Sequence, residues 1–528
     1  MDNAENERPP ADPYGRHHPT QGFAAFQQTP PASVQGGPGW LTASPPPRRR
    51  RGPLVIAMII GVVVALGIGF VVGLVLTDDG DDSAAVTPMA NTNQAPPPGQ
   101  PVNAPAAAQG GDAAPGGGSA FDLRKGAVFV QSNSQHGNEV VALARNEDGR
   151  LSEVGRYDTG GVGTGSFQDS ANGVVLGTAN GEASPQHNID NPQLLFVPNA
   201  GSNSITVFRV AADSLQLVET VPSGGETPVS LTVNRGLLYV LNSGELDDRL
   251  ILNRPPDDAT DFLDNCTHGE PPTVTGFRVT EAGDLTQIEN STRPLSGGQG
   301  SGCSQVSFTQ DGEQLVVTER VASLPTKTPQ KGAIVTFDVT PDGMLGAKQV
   351  MDPAGIGPFG FAFTKDGTLV VSEQDHSNPG KSTTSSYTIR EDGTLKAISK
   401  AVPNMGTDNC WVVITNDSRM AFTSNAFGGG TVSSYAVDEN GALTLLHASA
   451  TAEPGKDPND DKLTDGTTDM ALSRDSQYLY QLNSNLGMVQ VFRTNSDGRL
   501  THVEDQKVFD GPGVDTTGQL APFGIAAF

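Results

Sequence analysis

One short pattern, recurring from Lys125 onward, restricts what this chain can fold into more than any other feature. It is clearest between Gly357 and Lys400. Pro358-Phe-Gly-Phe-Ala-Phe363 is an apolar run short enough for a buried strand, Lys365-Asp366-Gly367 is a tight turn, and Thr368-Leu-Val-Val-Ser372 is a second strand. After a polar loop, Thr383 to Ile389 reads as a third strand, Glu391-Asp392-Gly393 as another turn, and Leu395 opens a fourth. An Asp-Gly pair between alternating apolar runs marks a hairpin, because Gly takes the positive φ that such turns need. One such unit is a four-stranded antiparallel meander. It cannot bury both faces alone, so it needs neighbours of its own kind.

The outer turn recurs as Gly-x-Leu at Gly149/Leu151, Gly283/Leu285, Gly343/Leu345, Gly393/Leu395, Gly441/Leu443 and Gly498/Leu500, and Ala211-Ala-Asp-Ser-Leu215 fills the same slot without the glycine. That makes seven units. The final Ala521-Pro-Phe-Gly-Ile-Ala-Ala-Phe528 copies the opening strand of the 358–363 unit, whereas the first repeat lacks one. A C-terminal strand that supplies the missing inner strand closes the ring and leaves only short, protected edges. The expectation is an all-β seven-bladed β-propeller over 121–528, with Ile525 beside Val128.

The rest of the chain is different in kind. Residues 1–53 are rich in Pro, Gly, Gln and Ala without apolar periodicity, and read as a disordered cytoplasmic tail. Leu54 to Leu76 carries no charge. As a helix it would span about 34 Å, enough for a bilayer core. Arg48 to Arg51 precede it and Asp78, Asp79, Asp81 and Asp82 follow, so the positive-inside rule puts the tail in the cytoplasm and the propeller outside. A cleaved signal peptide fits less well, because the apolar run and the region before it are too long. Residues 77–120 form a flexible Ala/Pro/Gly-rich tether. The net charge of −26 argues against nucleic acid, which needs a basic footprint.

Tight turns put one face of each blade on short connections, and the loops after each second strand fall on the other, where binding usually lives. The residues ending those second strands are Asn199, Asn242, Glu319, Glu373, Asn425 and Asn483, with Asn133 completing the ring. Such a ring is expected to line the mouth of the central channel. Hydrolysis at a carbonyl carbon needs a base to activate water and donors to hold the oxyanion. Glu319 and Glu373 are the candidate bases, His376 a nearby loop candidate, and Arg293, Arg320 and the ring amides candidate substrate donors. The bland alternative is that strand-end Asn and Glu only cap turns or pair with Arg320 or Lys381. Cys266 and Cys303 fall on the loop-rich face of adjacent blades and are expected to pair, outside the cell where disulfides persist, leaving Cys410 a buried thiol. No metal or cofactor is expected: there is no Cys-x-x-Cys pair, and the acidic run Asp457 to Asp469 lacks the Gly and Glu of a calcium loop.

Asn199-Ala-Gly-Ser-Asn-Ser-Ile-Thr-Val-Phe-Arg-Val210, Pro228 to Val233 and Leu237 to Asn242 resemble the lactonase seven-bladed propeller family, and Ser291 to Gly297 and Cys410 to Thr415 are similar to its bacterial extracytoplasmic branch. The likeness covers 121–528. It implies the propeller fold and chemistry on lactones, as in that family's 6-phosphogluconolactonase and carboxymuconate cyclase. Those enzymes tend to carry Arg-His after an inner-strand Gly-Pro. Here Phe359-Gly360 stands there, and Ser304-Gln305 replaces a second inner-strand His. Two readings follow: a membrane-anchored extracytoplasmic hydrolase of a lactone, or a non-catalytic propeller binding a peptide, glycan or cell-envelope ligand. A redox propeller is weaker, for want of a cofactor motif.

Overall fold

Among the described residues seven antiparallel sheets follow one another along the chain, six built from consecutive strands and the first completed by the C-terminal strand. The computed structural model describes residues 122–528 apart from 166–167, 169, 179–192, 245–270, 297–302, 321–330, 428–429, 452–465 and 510–521. Blade 1 joins Phe523–Ala527 to Ala127–Gln131, Glu139–Arg145 and Leu151–Asp158. Blade 2 holds Val175–Gly177, Leu194–Asn199, Ser204–Val210 and Leu215–Pro222, and blade 3 Pro228–Asn234, Leu237–Asn242, Thr273–Val279 and Leu285–Gln287. Blade 4 runs from Cys303–Phe308 through Gln314–Glu319 and Ala333–Val339 to Leu345–Met351. Blade 5 comprises Pro358–Phe363, Leu369–Glu373, Thr383–Ile389 and Leu395–Pro403. Blades 6 and 7 start at Thr407–Ile414 and Thr467–Leu472 and end at Leu443–His447 and Leu500–Lys507.

The ring closes as the repeat demands, with one difference of register. Ile525 pairs with Val130, and it is Ala527 that lies opposite Val128. The shift arises at an irregularity between Val130 and Gln131 that absorbs extra chain near Gly524, whose φ is +80°.

Each Gly-x-Leu turn serves two purposes. Gly149 has a φ of +87°, and a Cβ there would lie 2.1 Å from the Tyr478 ring of blade 7. The glycine therefore permits both the turn and the close seating of one blade on the one before it. The leucine two residues later opens the outer strand and buries its side chain, as Leu151, Leu345 and Leu500 do. Between blades the turn carbonyls accept hydrogen bonds, from Tyr239 to Gly343 O at 2.6 Å and from Ser386 to Gly441 O at 2.7 Å.

The crossings between blades use left-handed residues. Gly160 and Gly224 have φ of +71° and +78°, whereas the corresponding residue between blades 5 and 6 is Met405, at +61° and 72% exposed. A Cβ in that conformation is strained, and an exposed side chain recovers little by packing. Met405→Gly should therefore raise stability by about 0.5–1 kcal/mol. A melting temperature lower than that of the parent protein would show that the Met side chain makes a useful contact.

Among the described residues no helix is long and apolar enough to cross a membrane. The segment expected to span one, 54–76, lies outside them, as do the tail at 1–53 and the linker at 77–120.

Candidate functional site

The inner strands lose register at the end where the second strands finish. Shifts fall between Pro228 and Ser230, Cys303 and Gln305, Pro358 and Phe361, Asn409 and Trp411, and Thr467 and Met470. A bulge frees a residue from the ladder and re-aims it, which is why bulges gather at rims and sites. The residues freed include Val229, Ser304, Cys410 and Asp469.

Below them the axis is bridged. Ser170 to Asn172 of blade 2 is laced to two other blades: Ser170 Oγ donates to Val229 O of blade 3 at 3.1 Å, Ala171 N to Ser304 O of blade 4 at 2.9 Å, and Leu231 N of blade 3 to Asn172 O at 3.0 Å. From blade 6 the Trp411 indole donates to Ser170 O at 2.9 Å, and Phe359 of blade 5 packs edge-on against its ring at 5.2 Å. Trp411 and Phe359 are buried. With Ala171 they belong to one buried apolar cluster.

Two groups of ionisable side chains stand at that level. The first is Arg320, the residue after Glu319, which is buried within the electrostatic reach of Cys410 and Asp408 of blade 6. Burial pulls its guanidinium down to about 10, against the opposing pull of Cys410 and Asp408. Asp408 holds a left-handed φ of +54°, and Cys410 is a buried free thiol pushed well up by burial. Gln374 of blade 5 completes this group, its Oε1 accepting from Cys410 Sγ at 3.7 Å. The second is Asp469, between the inner strands of blades 7 and 1. Its Oδ1 accepts from Met470 N at 2.9 Å, and Oδ2 has no partner among the described residues. Burial raises its carboxyl from 3.8 to about 7, outweighing the backbone N–H groups of Met470 and Ile525.

The ring of second-strand ends takes a different position from the expected one. Rather than lining the mouth, these side chains turn back across their own blades and are buried. Glu373 Oε1 accepts from Gly355 N at 2.7 Å and Ser385 Oγ at 2.8 Å, and Oε2 from Thr383 Oγ1 at 2.6 Å. Asn425 donates to Thr431 and Ser433, both at 2.9 Å, and accepts from Asn404 at 2.8 Å. Asn199 does the same with Ser204 and Thr206, accepting from Thr159 at 2.7 Å and Asn138 at 2.9 Å. Asn242 meets Thr275 at 3.5 Å, and Glu319 accepts from Ser296 N at 3.0 Å. In four of these blades a crossing glycine lies against the end residue: a Cβ on Gly161, Gly225, Gly355 or Gly406 would overlap Asn199, Asn242, Glu373 or Asn425. The geometry is that of a pin fastening each incoming crossing to two hydroxyls of the third strand. Burial, outweighing its four donors, raises the Glu373 carboxyl.

The remaining expected residues are scattered. Asn483 Oδ1 caps the following turn through Leu486 N at 3.0 Å, and Asn133 accepts from Thr164 N at 3.0 Å. Arg293 is a correction. It sits in a short strand paired with the third strand of blade 3, and its guanidinium donates to Leu345 O of blade 4, away from the mouth. His376 lies half-exposed in a short turn with a φ of +53°. The proposed Cys266–Cys303 pair falls outside the described residues, since Cys266 is not among them and of Cys303 only the backbone is. Cys410 is the buried thiol expected. Among the described residues no three His, Cys, Asp or Glu side chains gather as metal ligands.

Residue patterns missed at first are nonetheless present in the sequence. The pins read as Asn or Glu followed by a Ser/Thr-x-Ser/Thr pair that opens the third strand, as in Ser204-x-Thr206, Thr383-x-Ser385 and Thr431-x-Ser433. Asp469 appears when the opening strands are aligned: Pro358-Phe-Gly360 and Pro522-Phe-Gly524 match Thr467-Thr-Asp469, with a carboxylate in the glycine's place.

Residues 271–381 and 387–522 match the model of the family described as lactonase, 7-bladed β-propeller. No curated protein sequence matches the chain. Among solved structures, a Bacteroides fragilis protein provisionally assigned as a 6-phosphogluconolactonase superposes with a TM-score of 0.52 at 16% identity, covering 76% of this chain and 98% of its own. The periplasmic gluconolactonase of Pseudomonas aeruginosa gives 0.50 at 15%, covering 76% and 98%. At such identities these likenesses show the fold.

Proposed function

We propose that this chain, which carries the lactonase seven-bladed propeller match over most of its blades 3 to 7, is a hydrolase that opens a lactone at the mouth above Trp411. The observation that carries the proposal is Asp469: a buried carboxylate poised near neutral pH, with Oδ2 unengaged among the described residues. A general base works best with a pKa near the working pH and an open lone pair. In this reading Asp469 takes a proton from water, and the hydroxide adds to the lactone carbonyl carbon. The tetrahedral oxyanion is held by Arg320, whose burial strengthens its field. The ring C–O bond then breaks, the leaving alkoxide recovers the proton from Asp469, and a hydroxy acid departs. Glu319 and Glu373 then serve to hold blades 4 and 5, the first of which leads into Arg320.

The same reading keeps the catalytic domain outside the cell, tethered through residues 54–76. The support is the uncharged stretch with its flanking Arg and Asp clusters. Two measurements test the proposal together. The full-length protein, offered a panel of γ- and δ-lactones, should release acid. In cells it should sediment with membranes and become soluble once 54–76 is deleted. No turnover on any lactone would leave a propeller that binds without reacting.

A further inference from the structure

We infer that Gln374 and Arg320 together form a carboxylate-binding subsite in the mouth, with the Cys410 thiol as the residue that orients Gln374. The inference rests on the hydrolase reading only in placing both at the same mouth. Gln374 is 1% exposed, and its Nε2 has no acceptor among the described residues. A buried amide N–H2 left unpaired by protein groups is costly, so it meets a water, an ion or a ligand.

The orientation of the amide follows from its neighbour. Burial keeps Cys410 in its thiol form, so Sγ–H is a donor and the amide must present Oε1 to it, at 3.7 Å. Nε2 is thereby turned away from Cys410. Room for this side chain comes from Gly357, which has a φ of +67°; a Cβ there would lie 2.8 Å from Gln374 Cγ. Arg320, a buried cation, lies within the electrostatic reach of the same thiol. A guanidinium and an amide donor that both neighbour Cys410 would suit a planar oxyanion, which can accept from both. A hydroxy acid, the product of lactone opening, carries that group, and so does a lactone with a second, free carboxylate.

The test is direct binding to the full-length protein, read by calorimetry or by ligand-observed NMR. The probes are 4-hydroxybutyrate and its uncharged counterpart 1,4-butanediol. The carboxylate is expected to bind at least tenfold more tightly than the diol. Gln374→Leu and Gln374→Glu should each weaken it about tenfold or more, the Glu variant by repulsion. Cys410→Ala should weaken it less, and Cys410→Ser, which still donates to Oε1, should restore it. Equal binding of acid and diol, or no binding of either, overturns the subsite, as does full affinity in Gln374→Leu. Lactone turnover without carboxylate binding would sink the subsite and keep the hydrolase. Carboxylate binding without turnover would do the reverse.

Discussion

Asp469→Asn should abolish most lactone hydrolysis and, at the same time, make the protein more stable at alkaline pH. The first effect follows from the loss of a general base, expected to cost about 10²–10⁴ in kcat. The second follows from linkage. The folded carboxyl titrates at about 7 against 3.8 unperturbed, so the folded state binds its proton more tightly than the unfolded chain does. The stability that this proton confers is present in full below about pH 4, declines as pH climbs, and is gone once pH passes about 7. Three units correspond to roughly 4 kcal/mol. Asparagine keeps an acceptor for Met470 N and never ionises. The variant should therefore match the parent near pH 4 and exceed it at pH 8, while the parent's kcat/KM rises through about pH 7 and levels off. Retained activity in the variant would hand the base to another residue, and a flat stability difference across that range would show Asp469 to be solvated.

Glu373→Ala should be among the most damaging single changes in the propeller. It strips the acceptor from Gly355 N, Thr383 and Ser385 and weakens the seat of the Tyr387 hydroxyl, which lies 3.4 Å from Oε1. Buried donors left without an acceptor cost about 1–3 kcal/mol each, though not additively, and losses of about 3–5 kcal/mol are typical when one side of a buried charged network is removed. Glu373→Gln preserves one acceptor and asks only that the Thr383 hydroxyl turn round, so about 1–2 kcal/mol is expected. Denaturation midpoints of the two variants measure the difference. Should both unfold within 1 kcal/mol of the parent, the pin does not hold the crossing. Acid is not expected to release it, because burial raises the Glu373 carboxyl and a raised carboxyl favours the folded state as pH falls.

The fold was legible because its determinants are local and repeated. An Asp-Gly turn, a Gly-x-Leu and an opening strand that reappears near residue 523 are each read without knowing what lies beside them. The site was only half legible, for a physical reason. Strand-end Asn and Glu were recognised as a set, but period-two alternation says only which side of a sheet a side chain leaves from. It does not say whether that side faces the axis or the next crossing. Here the third-strand hydroxyls decide the matter, by offering Glu373, Asn199 and Asn425 partners within their own blades. Arg320 and Arg293 were read alike, as candidate substrate donors; Arg320 is buried after the second strand of blade 4, whereas the segment of Arg293 pairs with the side of Thr273–Val279 away from the second strand. Asp469 was hidden among neighbouring acids. A bulge, which no propensity announces, frees it from the ladder.

The indole of Trp411 ties blade 6 to the carbonyl of Ser170 in blade 2, with Phe359 of blade 5 against its ring. In the hydrolase proposed above, such a bridge would leave substrate and product one shared passage. A freshly formed hydroxy acid would then compete with the next lactone for it, and release of product, rather than bond breaking, would brake repeated turnover.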